Sequence, residues 1–174
     1  MGNLATPEAL VLRWDEVCSD SSLQDLPYKI ELNAWGKIEM SLASNRHGRL
    51  QAALAAEFLR QLPDGMTLTE CSILTSIGIR VPDVVWASAR FMTAYGEITP
   101  YTRAPDICVE ILSPSNVEAE IEAKTRAYLK AGAKEVWLVS ENGAIRFIGG
   151  NGETTKSAFA VAVSLPPPVS KNPA

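Results

Sequence analysis

Three ionisable side chains stand where their surroundings read as apolar: Asp83 in RVPDVVW, Glu110 in PDICVEILS and Lys124 in NVEAEIEAKTRAYLKAGA. Along the strand pattern DICVEI, Asp106, Cys108 and Glu110 alternate with Ile107, Val109 and Ile111, so one face is apolar and the other carries two carboxylates. The same alternation puts Asp83 on the side of Val81 and Val85. At about 100 degrees per residue, Val117, Ile121, Lys124 and Tyr128 share one direction on a helix. A buried carboxylate is costly unless it finds a cation, a donor or a metal. Two carboxylates in a small space repel one another unless a cation lies between them. Oxygen-only ligation with an open face suits Mg²⁺ or Mn²⁺, which take one or two carboxylates plus water and a substrate phosphate. A nearby lysine would orient an attacking water or stabilise charge on a phosphate oxygen.

Each of these residues also has a plainer reading. Lys124 would be a snorkelling lysine whose stem covers apolar surface. Asp83 would be a turn or edge aspartate after Pro82. What distinguishes the chemical reading is that simple α/β packing brings all three together from two strands and one helix.

The elements that position them follow from local signals. TPEALVLRWDEV opens with Thr6 as N-cap, Pro7 at the first helical position and Glu8 in the first turn, which predicts a helix. YKIEL and KIEMSL, split by NAWG with Gly36 for the turn, predict a hairpin. A second helix is expected from near Asn45 to the stop at Pro63 and Gly65, with His47, Gln51, Leu54 and Phe58 on one side. MTLTECSILT and IRVPDVVWAS read as two antiparallel neighbouring strands. ARFMTAYGEITPYTRA reads as an irregular segment with a helical turn. PDICVEILS, a helix closed around Gly132, and KEVWLVS form a crossover, so those strands should be parallel and the connection right-handed. Ser113 and Ser115, with Asn116 beside them, are expected to cap that helix. AIRFIGG continues the sheet as a hairpin partner. The fold class is therefore α/β: a mixed sheet flanked by helices, with an N-terminal helix and hairpin. A single domain over 1–164 and a loose proline-rich tail over 165–174 are expected.

Composition narrows the chemistry by exclusion. The 174 residues are 47% hydrophobic and 21% charged, as in a soluble globular protein. No apolar run reaches the length of a membrane span and no signal-peptide pattern opens the chain, so a cytoplasmic protein without membrane contact is expected. Cys18, Cys71 and Cys108 are far apart and read as reduced thiols. His47, the only histidine, excludes an HExxH or multi-histidine metal centre. Neither a GxSxG elbow nor a GxxxxGK[ST] loop occurs. The net charge of -4 does not advertise a nucleic-acid binder.

RVPDVVW followed by PDICVEILSPSN and EAKTRAYLKAGAKEVWLV resembles the "putative restriction endonuclease" family of the PD-(D/E)XK nuclease superfamily, a bacterial group numerous in cyanobacteria. IELNAWGKIEMSLASNRHG resembles the amino-terminal signature of the same family, and the likeness spans residues 28 to 140. It implies a restriction-endonuclease-like fold in which an aspartate and a glutamate hold metal. By position these are Asp83 and Glu110. The superfamily lysine two places after the second acid would be Leu112, so the pattern is broken, and the resemblance implies that Lys124 replaces it from the next helix. Glu31 and His47 lie in the amino-terminal signature and are candidate accessory residues. Gln51, one turn on from His47, would bind phosphate or simply pack.

The reading is a Mg²⁺- or Mn²⁺-dependent nuclease that hydrolyses phosphodiester bonds of nucleic acid, DNA first, by metal-activated water. The alternative is a catalytically idle binding or dimerisation module of the same fold. Cutting both strands of a duplex favours a homodimer. Residues 28 to 41 and AIRFIGG are the expected edges for pairing.

Overall fold

The computed structural model describes residues 3–169, and the end of the expected tail, 170–174, lies outside the described residues. Helix α1 (Pro7–Ser19) starts where its capping signals put it, with the Thr6 hydroxyl accepting from the Ala9 amide. The hairpin β1 (Lys29–Asn33) and β2 (Ile38–Ser41) turns through Gly36 at φ 73, a conformation that glycine adopts without strain. Helix α2 (Asn45–Gln61) is capped by Ser44, whose hydroxyl accepts from the His47 amide.

The next two expected strands are each broken. MTLTECSILT forms β3 (Gly65–Thr69) and β4 (Ile73–Thr75), and IRVPDVVWAS forms β5 (Gly78–Arg80) and β6 (Val84–Ser88). They are antiparallel neighbours as expected, β3 with β6 and β4 with β5. The bent hairpin, however, passes from one sheet into another. Glu70 breaks the first strand in a left-handed conformation at φ 53. Pro82, which has no N–H for a ladder, breaks the second. Val81 and Val85 consequently belong to different apolar clusters, and the alternation read across Asp83 does not hold. Asp83 sits at the crossing itself.

Helix α3 (Ala89–Tyr95) is longer than the single turn expected. Strand β7 (Ile107–Ile111), helix α4 (Glu118–Ala131) and strand β8 (Glu135–Val139) make the expected parallel crossover, and Gly132 closes α4 at φ 114. Val117 is the N-cap of α4 and makes no side-chain capping bond. Ser113 and Asn116 instead close their own turn, with the Ser113 amide donating to Asn116 Oδ1. Strands β9 (Ile145–Gly149) and β10 (Gly152–Thr154) finish the sheet.

The larger sheet runs β10-β9-β8-β7-β6-β3 and the smaller one β2-β1-β5-β4. AIRFIGG is therefore not an edge. Strand β9 is paired by β8 on one side and β10 on the other, which removes it as a docking edge, whereas β2 is an edge of the smaller sheet.

The two faces of the larger sheet bury different partners. Val84, Trp86, Ile107, Val109 and Ile111 meet Leu50, Leu54 and Phe58 of α2. On the other face, Val85, Cys108, Val136 and Leu138 meet Phe91 of α3 and Ile121 and Tyr128 of α4. Each fully buried leucine or phenylalanine contributes roughly 1.5–3 kcal/mol. Helix α1 covers the smaller sheet through Leu10, Trp14 and Val17 against Leu32, Ile79 and Val81. Residues 159–169 form no strand, but Phe159, Val161, Val163 and Leu165 pack on the α2 side of the core. The Pro167 carbonyl accepts from Arg46 and Arg49. Among the described residues no helix is long and apolar enough to cross a membrane.

Candidate functional site

Strand alternation decides where Glu110 points. Ile107, Val109 and Ile111 face α2, so Glu110 shares the Cys108 face and looks toward α4. There its Oε1 accepts the Tyr128 hydroxyl at 2.6 Å and lies 3.6 Å from Lys124 Nζ. Lys124 reaches further to Glu31 on β1, at 3.1 Å from Oε1 and 3.0 Å from Oε2. Glu31 also accepts from the Val81 amide at 2.8 Å and from Arg80 at 3.2 Å. Arg80 in turn holds Glu39 at 2.6 Å.

Asp83 is the most enclosed of the group, 1% exposed. Its Oδ2 accepts from the Ile111 amide at 2.7 Å, tying the crossing point of the hairpin to β7. Its Oδ1 accepts from Lys29 Nζ at 2.7 Å and lies 3.2 Å from His47 Nε2. Lys29 Nζ is also 3.7 Å from Glu110 Oε2. Gln51 Nε2 donates to the Asp83 carbonyl at 2.9 Å and to Glu70 Oε1 at 3.4 Å, and so buttresses the bend.

The result is a chain of alternating charge: Asp83, Lys29, Glu110, Lys124, Glu31, Arg80 and Glu39. All seven line one cavity of about 580 Å³, together with His47. Burial pushes the Asp83 carboxyl up, but the His47 hydrogen bond and the Lys29 ammonium outweigh it and hold Asp83 at about 2. Burial likewise raises Glu31, and Lys124 and Lys29 more than reverse it. Burial would lower Lys29, yet the charges of Glu110, Asp83 and Glu31 raise it. These groups therefore hold one another in their charged forms.

Every site residue expected from the sequence lies on or against this cavity. Asp106, the other carboxylate on the strand face of Glu110, is held apart from it: at the other end of β7 it accepts from the Ser88 amide and pairs with Lys134. Two cations were missed, Lys29 and Arg80. The signal for Lys29 was its place two residues before Glu31, which puts both on one strand face. Tyr128 was on the helical stripe, but only the structure shows its bond to Glu110.

The donor set suits a hard divalent ion. The cavity is lined by six carboxylates (Glu31, Glu39, Glu70, Asp83, Glu110 and Glu120) against Lys29, Arg80 and Lys124. A phosphate would be repelled from such a lining unless further positive charge were supplied. Among the described residues no three His, Cys, Asp or Glu side chains form a ready-made metal group. Asp83 and Glu110 are two carboxylates that would supply oxygen ligands of the kind such an ion takes.

A family model described as "Putative restriction endonuclease" matches residues 20–158, most of the chain. The chain belongs to this family, Uma2. The matched stretch takes in all the charged residues of the cavity. The fold of this Uma2 protein is similar to the crystal structure of a "putative nuclease belonging to DUF820" from Anabaena variabilis. The TM-score is 0.59 at 20% identity, over 69% of this chain and 71% of that one. No curated protein matches.

Proposed function

We propose that this Uma2 protein is a cytoplasmic, divalent-metal-dependent nuclease that hydrolyses phosphodiester bonds of DNA. The observation that carries the reading is the convergence of Asp83, Glu110 and Lys124 on one acidic cavity. Family membership and the nuclease-like fold support it. The break in the superfamily's lysine spacing is met by Lys124, which arrives from α4 within 3.6 Å of Glu110.

Asp83 and Glu110 would hold Mg²⁺ or Mn²⁺ through one carboxylate each. When bound, such an ion makes water a better nucleophile near neutral pH and offsets charge on the phosphate. The Ile111 amide and Tyr128 hydroxyl keep the two carboxylates in place. Lys124 stabilises the negative charge that grows on the phosphate oxygens as water adds. His47 steadies Asp83, and Gln51 holds the backbone that carries it. Hydrolysis breaks one P–O ester bond, places the water oxygen on phosphorus and returns a proton to the departing oxygen.

A homodimer would present two such cavities to the two strands of a duplex, and β2, one of the edge strands, remains a candidate for pairing. The competing reading is an idle binding or dimerisation module. It rests on one observation, that each central carboxylate already has an ammonium partner.

Incubation with single- and double-stranded DNA and RNA, with Mg²⁺, Mn²⁺ or chelator, tests the choice. Metal-dependent cleavage that is lost in Asp83→Asn and Glu110→Gln is expected. Intact substrate throughout, from folded native protein, would leave the module reading. Light scattering at micromolar concentration tests the dimer.

A further inference from the structure

Lys29 is a cation standing between the two acids proposed to hold metal. Its Nζ lies 2.7 Å from Asp83 Oδ1 and 3.7 Å from Glu110 Oε2, with its side chain only 15% exposed. Of the carboxylates it faces, Glu31 is engaged by Lys124 and Arg80, and Glu110 is shared with Lys124, which meets its other oxygen at 3.6 Å. Among the described residues Lys29 is the lysine or arginine that pairs with Asp83. A hard divalent ion bound by Asp83 and Glu110 and the Lys29 ammonium would crowd one small space with like charge.

We propose that Lys29 is the resident cation of this site, and that a divalent ion enters by exchange with its ammonium. The inference rests on the metal reading of Asp83 and Glu110. It assigns to a residue outside the acid–acid–lysine set the control of when the site is loaded. Without an ion, Lys29 neutralises two buried acids that would otherwise repel each other. With the ion bound, Lys29 leaves Asp83 and stands at the cavity mouth, in reach of a substrate phosphate. The stem supports such movement: four methylenes with many rotamers give an ammonium more latitude than a planar guanidinium forked onto a carboxylate.

Calorimetric titration of the native protein and Lys29→Met with MnCl₂ is the direct test. Met retains most of the stem's volume and removes the competing charge. Lys29→Met should bind Mn²⁺ at least tenfold more tightly, and it should melt lower without metal yet gain more from Mn²⁺ than the native protein. Lys37→Met, which removes an exposed charge from the same hairpin, should bind as the native does. Native protein treated with an amine-acylating reagent and digested for mass spectrometry gives a readout that needs no variant. Lys29 should be protected without Mn²⁺ and modified several-fold more with it, while Lys37 is unchanged.

Binding by Lys29→Met that is equal to or weaker than native, or Lys29 labelling indifferent to Mn²⁺, overturns the exchange. Absence of Mn²⁺ binding by both proteins overturns it as well. A cleavage assay on the same samples separates the two readings. Native protein that cleaves with Mn²⁺ keeps the nuclease reading even where the exchange fails, and native protein that neither binds nor cleaves loses both. If Lys29→Met does not fold, by circular dichroism, the labelling result alone decides.

Discussion

Tyr128 donates its hydroxyl to Glu110 Oε1 at 2.6 Å, and both side chains are buried. The bond joins the last turn of α4 to the C-terminal end of β7 and fixes which way the carboxylate turns. Burial and the Glu110 charge push the Tyr128 hydroxyl well above its usual value, so it remains a donor at any working pH. Tyr128→Phe removes the donor and keeps the ring. The variant should be less stable by about 1.5–3 kcal/mol, the range for a hydrogen bond to a charged group, as read from urea unfolding. Mn²⁺ affinity should fall by roughly tenfold or more, since groups that orient a ligand carry that much of the binding.

Lys124→Met separates the chemical role of this lysine from a packing role. The variant should still bind Mn²⁺, because the two acids proposed to hold it, Asp83 and Glu110, are untouched. Cleavage should drop by a factor corresponding to about 2.7–4 kcal/mol, by analogy with loss of an oxyanion-hole donor. The near-native stability that a snorkelling lysine would allow is not expected, because Glu31 loses a partner at 3.0 Å. Arg80 remains on Glu31 and limits the loss. Lys130→Met, at an exposed position on the same helix, should match the native protein in both assays.

Acid should act on the fold through Asp83. Burial opposes its ionisation, but the His47 bond and Lys29 bring it from the usual 3.8 to about 2. A carboxyl whose value is lower in the folded state gives stability that is complete above its unfolded value and is lost as pH falls through its folded one. Stability should therefore drop between about pH 4 and pH 2. Asp83→Asn should flatten that limb in unfolding curves collected across this window.

Glu135 holds the C-terminal segment. Its carboxylate accepts from Trp137 Nε1 at 2.8 Å, Ser157 Oγ at 2.7 Å and the Ala158 amide at 2.6 Å. Glu135→Leu leaves those donors unpaired and should cost at least about 2 kcal/mol. Hydrogen exchange should show the Ala158 amide opening early, along with residues 159–167, while β7 and β8 keep their protection.

The sequence was most legible where a local rule had one outcome. The Thr6 cap, the Gly36 turn and the β7–α4–β8 crossover each follow from a short stretch of chain. The bent hairpin was not legible, because MTLTECSILT keeps strand-like residues through Glu70. The switch of sheet depends on what β4 and β5 meet in space, namely β1 and the Tyr101 segment. At the site, Asp83, Glu110 and Lys124 were visible because a charge on an apolar face is locally anomalous. Lys29 and Arg80 were not. Each lies on a short strand where a charge reads as solvent-facing, and each is recruited only by acids brought from elsewhere in the chain. Glu31, for instance, lies 49 positions from Arg80.

The hairpin that passes between the two sheets also has a meaning for how the protein is made. Lys29 meets Asp83 across 54 positions, and Lys124 meets Glu31 across 93. A chain emerging N-terminus first exposes β1 and β2 before β5 exists to pair with them. It brings out Glu31 and Asp83 long before α4 supplies the second ammonium. Contacts this distant in sequence form late and slow folding, and partly made sheets with open edges are prone to stick to one another. The charge of the β1–β2 hairpin, with Lys29, Glu31, Lys37 and Glu39 along its length, then keeps it dispersed while it waits for β5. The cavity closes only when the helix 93 positions downstream has left the ribosome, so the nascent chain spends most of its synthesis without the charged cavity that the finished fold encloses.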